Sequence, residues 1–230
     1  MGYLLLAGGA EFGKRMAEPD QKAIELAGGV DAPIRIIPTA AAPDHNDVRA
    51  GNNGVNWFKS LGAKDVVSLP LVDKASAASD SIVDSLRNAK LIYLLGGFPE
   101  YLGNTLQGSP AWQAVLDAYE RGAVLAGSSA GAMVLCQFYY GPDTGQVLKG
   151  LGLVRDTLVL PHHETFGKDW APRLLQKRPG LTLLGIDERT GILDDGYGEN
   201  WSVLGQGAAT LYHGSEIRVY RTGETFTINH

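Results

Sequence analysis

Ala123-Val124-Leu125-Ala126-Gly127-Ser128-Ser129-Ala130-Gly131-Ala132-Met133-Val134-Leu135 opens as an apolar strand, passes through Gly-Ser-Ser-Ala-Gly and continues as small and apolar residues that can coil into a helix. Strand, sharp turn and helix in that order make a G-x-S-x-G elbow centred on Ser129. The central residue of such an elbow sits in a crowded backbone conformation, so the turn needs the small residues around it, Gly127 and Ala130-Gly131. The Ser129 hydroxyl then stands above a sheet at a helix N-terminus, where unpaired N–H groups and the helix dipole favour negative charge. A serine nucleophile needs that environment. Gly/Ser/Ala turns also serve as plain strand-to-helix links, so the elbow alone leaves both readings open.

With 230 residues, 44% hydrophobic and 20% charged, residues 1–230 are expected to bury one core as a single α/β domain. A formal net charge of -5 without a Lys/Arg cluster lacks the footprint of a nucleic-acid or anionic-membrane binder, so neither partner is expected. Cys136 is the only cysteine, which rules out an internal disulfide and a multi-cysteine zinc site; it reads as a small core residue behind the elbow. Leu4-Leu5-Leu6 is too short, and lacks the preceding basic residues, for a signal peptide or a membrane span. Leu6 also stands where a myristoylated N-terminus prefers Ser or Thr. The expected location is cytoplasmic.

Residues 3–6 read as a strand running into Ala7-Gly8-Gly9-Ala10-Glu11, a close-packed glycine turn without the spacing of a dinucleotide fingerprint. Strands over 34–37, 66–69 and 91–95 alternate with helices over 19–26, 55–61 and 79–87, and a helix over 110–121 has Ser109 as its N-cap. This is the pattern of a doubly wound, mostly parallel sheet, in which the loops at the carboxyl ends of the strands gather in one crevice. Gly96-Gly97 can then lie beside Ser129 and offer bare N–H groups to an oxyanion; the plainer reading is a tightened strand exit. His45 between Asp44 and Asp47 reads as helix-start chemistry and not as a metal site. Residues 138–150 read as a loop. The strand 158–160 reads as the next strand of the same sheet and ends at Pro161-His162-His163-Glu164; alternation sends the two histidines to opposite faces, so only His162 is expected to face Ser129. A helix over 169–177 and strands over 181–186 and 191–193 follow. Short β-rich runs over 210–212, 217–220 and 226–228 read as antiparallel hairpins covering one sheet edge, and they are the candidate surface for a homodimer.

With elbow, Gly-Gly turn and Pro-His in place, the chain resembles the serine peptidase family of dipeptidase E and cyanophycinase. That family has the three-layer α/β/α, flavodoxin-like fold of class I glutamine amidotransferases. The resemblance rests on Gly96-Gly97 with Leu102 and Leu106, on Arg121-Gly122-Ala123 leading into the elbow, on Pro161-His162, and on Gly185-Ile186-Asp187-Glu188. It extends from about Tyr3 to Tyr212. It implies an activated serine at Ser129, a histidine base at His162 and oxyanion donors at the N–H groups of Gly97 and Ala130. For the acid it implies Glu188 first, from the Gly-Ile-Asp-Glu motif of cyanophycinase-like members. Glu164 comes next, from the His-x-Glu spacing of glutamine amidotransferases, and then Asp143, in the loop where dipeptidase E-like members carry an aspartate.

The resemblance further implies a small peptide substrate, no metal or organic cofactor, and an exopeptidase preference for N-terminal Asp, with Arg173 or Arg189 as the basic group that meets the acidic side chain. The chain departs from the cyanophycinase pattern where Thr165-Phe166-Gly167-Lys168 replaces an arginine-rich segment, and where Pro99-Glu100 stands in place of a glutamine. Hydrolysis of cyanophycin-like β-Asp-Arg units is therefore the second expectation. Glutamine amidotransfer would need a thiolate at the elbow, and Ser129 is there instead. An α/β-hydrolase esterase would put its acid between serine and histidine, where Asp143 and Asp156 stand. From another class, a binding module without turnover would keep the crevice; the intact serine, histidine and glycine turn weigh against it.

Overall fold

The structure, a computed structural model, describes residues 1–228. Its first half alternates β1 (Tyr3–Ala7), α1 (Ala17–Leu26), β2 (Ile34–Ile37), α2 (Asp47–Ser60), β3 (Val66–Ser68), α3 (Asp80–Arg87) and β4 (Leu91–Leu94). Then come α4 (Pro99–Leu106), α5 (Pro110–Glu120), β5 (Val124–Ser128) and the short elbow helix α6 (Ala130–Leu135). The five strands form a parallel block in the order β1-β5-β4-β2-β3. Alternation along them divides the core. Leu5, Ile34, Ile36, Tyr93 and Ala126 face α1 and α2, whereas Leu4, Leu6, Ile37, Leu94 and Leu125 face the side of α3 to α6. Helices on both faces explain why these strands carry apolar residues toward both sides. Ser109 caps α5 as its position predicts, its Oγ accepting the Trp112 N–H at 3.1 Å.

Two helices depart from the sequence expectation. α2 begins at Asp47, so the polar stretch before residue 55 is helical despite Gly51 and Gly54. Both glycines are contact points: a Cβ on Gly51 would come within 2.0 Å of Ser68 Oγ, and one on Gly54 within 2.7 Å of an Ile36 methyl. α4 was not foreseen; it starts at Pro99, directly behind the Gly-Gly turn.

The second half also differs. After α6 the chain makes a hairpin of β6 (Phe138–Gly141) and β7 (Gln146–Lys149), where a loop is expected. Next come β8 (Thr157–Leu160), α7 (Ala171–Lys177), β9 (Thr182–Ile186), β10 (Thr190–Asp194), β11 (Asn200–Gly205), β12 (Ala208–His213), β13 (Glu216–Arg221) and β14 (Thr225–Thr227). β8 is not the next strand of the main sheet. The place beside β1 is taken by β10, antiparallel, and β11 and β14 extend that edge. β8 pairs instead with β9 in a second sheet of order β13-β12-β9-β8. That sheet turns Val159, Leu184 and Ile186 toward the main core and Leu158, Leu160 and Leu183 toward α7, so both faces are covered at β8 and β9, while β13 at its edge is exposed. No helix among the described residues is long and apolar enough to cross a membrane.

Candidate active site

Ser129 joins β5 to α6 with φ 48 and ψ -112, a conformation that non-glycine residues rarely adopt. The glycines beside it allow the close packing that holds this strain. A Cβ on Gly127 would lie 2.5 Å from the Gly131 carbonyl carbon, and one on Gly131 would lie 2.3 Å from the Leu94 oxygen. Ala10, Phe12, His162 and Arg189 are also at positive φ, so strained backbone concentrates around the serine.

His162 Nε2 lies 3.1 Å from Ser129 Oγ, and its Nδ1 lies 2.8 Å from Glu188 Oε1. A carboxylate only accepts, so Nδ1 carries the ring proton and Nε2 is free to accept the serine hydroxyl. The order serine, imidazole, carboxylate is that of a nucleophile, its base and the group that orients the base. Phe166 stacks on His162 with ring centroids 5.0 Å apart and fixes the plane of the imidazole. Glu164 does not touch the imidazole; both its oxygens accept the Glu188 backbone N–H, at 3.0 and 2.8 Å, so it anchors the residue that does. Asp143 lies exposed in the β6–β7 turn and forms no hydrogen bond with His162 among the described residues.

The exit of β1 ties these parts together. Ala7 O accepts the Ser129 N–H, Gly8 O the His162 N–H and Gly9 O the Arg189 N–H, at 3.0, 2.8 and 3.0 Å. A Cβ on Gly9 would sit 2.3 Å from the His162 ring, which requires glycine there. Glu11 closes the arrangement: its Oε2 accepts Ser128 Oγ–H at 2.8 Å and its Oε1 accepts the Gly96 N–H at 3.3 Å. The sequence reading treated this segment as a packed turn and missed Glu11, because no local pattern marks an acid that reaches two distant strand ends.

Gly97, at φ 138, follows Gly96, whose Cβ position is 3.2 Å from Ser129 Cβ, so the glycine turn lies against the elbow. Neither the Gly97 nor the Ala130 N–H has a hydrogen-bond acceptor among the described residues, as unengaged oxyanion donors require. Arg189 Nη2 is 3.5 Å from Glu188 Oε2, at the rim of the same group. Arg173 is engaged elsewhere. It donates to Tyr140 Oη and to Gly145 O, and the rings of Tyr140, Trp170 and Phe166 separate it from His162. Cys136 is fully buried behind the elbow helix, and burial pushes its thiol up to about 12, which leaves it inert. No three His, Cys, Asp or Glu side chains among the described residues gather as metal ligands.

The chain is 28% identical over 236 residues to a cyanophycinase of Geminocystis herdmanii, covering 96% of this chain and 84% of the relative. It is 30% identical over 224 residues to a cyanophycinase of Synechococcus elongatus, covering 91% and 67%. A crystal structure of a peptidase from an acI-B1 Actinobacterium superposes with a TM-score of 0.88 at 30% identity, covering 99% of this chain and 97% of the other. A putative peptidase E protein from Listeria monocytogenes, 19% identical with a TM-score of 0.61 and covering 97% and 100%, shares the fold. The model of Peptidase family S51 matches residues 4–198, from β1 through the elbow and both histidines to the turn after β10. The chain therefore belongs to peptidase family S51, and it is a hydrolase of the serine peptidase type.

Proposed function

We propose that the chain hydrolyses small peptides through an acyl-enzyme on Ser129. In this reading His162 takes the hydroxyl proton as Ser129 attacks the scissile carbonyl, then returns it to the leaving amine. Glu188 holds the imidazole in the required tautomer and stabilises it once charged. The N–H groups of Gly97 and Ala130 receive the tetrahedral oxyanion, a donor set worth roughly 3–4 kcal/mol of barrier per removed donor in comparable sites. Water then repeats the attack on the ester, with His162 again as the base. The observation that carries the proposal is the unbroken series Ser129 Oγ, His162 Nε2, His162 Nδ1, Glu188 Oε1 at 3.1 and 2.8 Å.

The first substrate reading is a dipeptide with an N-terminal Asp, whose carboxylate Arg189 is near enough to meet at the rim of the site. Hydrolysis of cyanophycin-like β-Asp-Arg units is the second reading, favoured by relatives that carry the name cyanophycinase. Both present an aspartyl group to Ser129. A panel of Asp-X, Glu-X, Ala-X and β-Asp-Arg peptides tests this, with Ser129→Ala as the blank. The expected result is serine-dependent cleavage of an aspartyl substrate. Silence on every aspartyl peptide, or turnover that survives Ser129→Ala, would sink the proposal.

A further inference from the structure

A cavity of about 520 Å³ opens beside the elbow, between the exit of β1 and α2, with Glu11, Phe12, Asn53, Asn56, Trp57 and Leu95 on its wall. Its only charged wall residue is Glu11, and Glu11 has no basic partner within ion-pair distance among the described residues. The Cβ position of Gly96 is 3.2 Å from both Glu11 Oε1 and Ser129 Cβ, so carboxylate and serine are no more than twice that distance apart. An unpaired negative charge so close to a developing oxyanion opposes the reaction unless a positive charge arrives with the substrate. Among the described residues, none that lines the cavity is a cation. Asp20 lies fully buried behind the wall, where burial, aided by the charge of Glu11, pushes its carboxyl up to about 7. The wall is also held in place before any ligand enters. Trp57 Nε1–H donates to Asp20 Oδ2 at 2.7 Å, and the Phe12 ring packs on Phe58 and Tyr93 at centroid distances of 6.2 and 5.5 Å.

We propose that this cavity is a subsite for a cationic group of the substrate, an ammonium or guanidinium, bound by the Glu11 carboxylate, with the side-chain oxygens of Asn53 and Asn56 as further acceptors and the Trp57 ring as an apolar wall. The proposal rests on Ser129 being the nucleophile. Binding there brings the missing positive charge to Glu11 and sets the scissile carbonyl against the elbow. Two parts of a small peptide carry such a group: the α-ammonium of the aspartyl residue and a basic side chain on the leaving residue.

Calorimetry on the Ser129→Ala chain tests the subsite with n-butylguanidinium and glycinamide as cationic probes and n-butylurea as the neutral control. The expected result is that one of the cations binds at least about tenfold more tightly than the urea, and that Glu11→Gln removes that margin. Asn56 is exposed on α2, so Asn56→Lys serves as a variant that retains the fold, and it should abolish cation binding. Preference for the guanidinium assigns the cavity to a leaving-residue side chain, and preference for glycinamide assigns it to the α-ammonium. Equal binding of urea and cations, no binding of either cation, or cation binding that survives Asn56→Lys would overturn the subsite. Labelling of the unmutated chain by a serine-directed phosphonate judges the nucleophile separately. A chain that labels but binds no cation retains the peptidase reading and loses the cavity.

Discussion

Two histidine–carboxylate pairs stand side by side where β8 and β9 end, built from adjacent residues of the same two turns. His162 meets Glu188 at 2.8 Å, and His163 meets Asp187 at 3.4 Å. Each imidazole turns Nδ1 toward a carboxylate, hydrogen-bonded in the first pair and only at ion-pair distance in the second, and each presents Nε2 to a hydroxyl, Ser129 Oγ in one pair and Tyr212 Oη, at 2.8 Å, in the other. The hydroxyls differ in what surrounds them. Ser129 sits in a strained elbow beside two unengaged backbone N–H groups, whereas Tyr212 belongs to the regular, paired backbone near the end of β12 and packs its ring against His163. His163 is buried, and Asp187 Oδ2 additionally accepts the Ala208 N–H at 2.9 Å, which fastens β12 to the turn after β9. In the mechanism proposed above, similar chemistry serves turnover in one pair, while in the other it docks the second sheet. What separates them is the backbone around the hydroxyl and not the imidazole.

If that division is right, the largest effect belongs to Ser129→Ala or His162→Ala, which should lower kcat about 10⁴- to 10⁶-fold with the thermal midpoint nearly unchanged. Glu188→Gln should lower kcat about 10²- to 10⁴-fold, because the amide no longer fixes the Nδ1–H tautomer. The matching change next door, Asp187→Asn, should leave kcat within a few-fold and cost about 1–2 kcal/mol of stability by urea unfolding. Equal losses of kcat from Glu188→Gln and Asp187→Asn would erase the distinction between the pairs.

Comparing the pairs across pH requires the pH response of the fold itself, to which two buried carboxyls contribute, Asp20 and Asp194, which burial pushes up to about 7 and about 6. An aspartate ordinarily titrates at 3.8, and burial holds the folded Asp20 at about 7. Between those values the native chain keeps a proton that the unfolded chain has released, so this contribution to stability falls as pH rises through that window and is level below and above it. Asp20→Asn should lessen the fall, leaving the part that belongs to Asp194, and the difference between the two proteins should reach a few kcal/mol at pH 8. Unfolding curves at pH 4, 6 and 8 measure it; parallel curves for both proteins would contradict it. Tyr212→Phe should cost about 1 kcal/mol and spare turnover. The smallest effects separate the alternative acids: Glu164→Gln should lower kcat only a few-fold, since the Glu188 N–H keeps an acceptor, and Asp143→Ala should change nothing measurable.

The reactive centre was more legible in the sequence than the sheet that carries it. Ser129 and His162 each lie in a short stretch whose residue types state a backbone requirement or a familiar chemistry, Glu188 was named only by the likeness to cyanophycinase-like members, and the structure brings all three together. β8 could be recognised as a strand, yet a run buried on both faces reads alike in either sheet. Its assignment depends on β10 having taken the place beside β1, a pairing remote in sequence. The start of α2 was hidden because Gly51 and Gly54 look like helix breakers until Ser68 and Ile36 are known to press against them. Glu164 was read as a rival acid and holds Glu188 instead; the His-x-Glu spacing marks proximity to the site without saying which atom the carboxylate meets.

Mass spectrometry after exposure to a serine-directed phosphonate tests the central claim most directly. The account predicts a single adduct on Ser129 in the unmutated chain and in His163→Phe, and none in His162→Ala. An unlabelled wild-type chain, or an adduct that persists without His162, would contradict it.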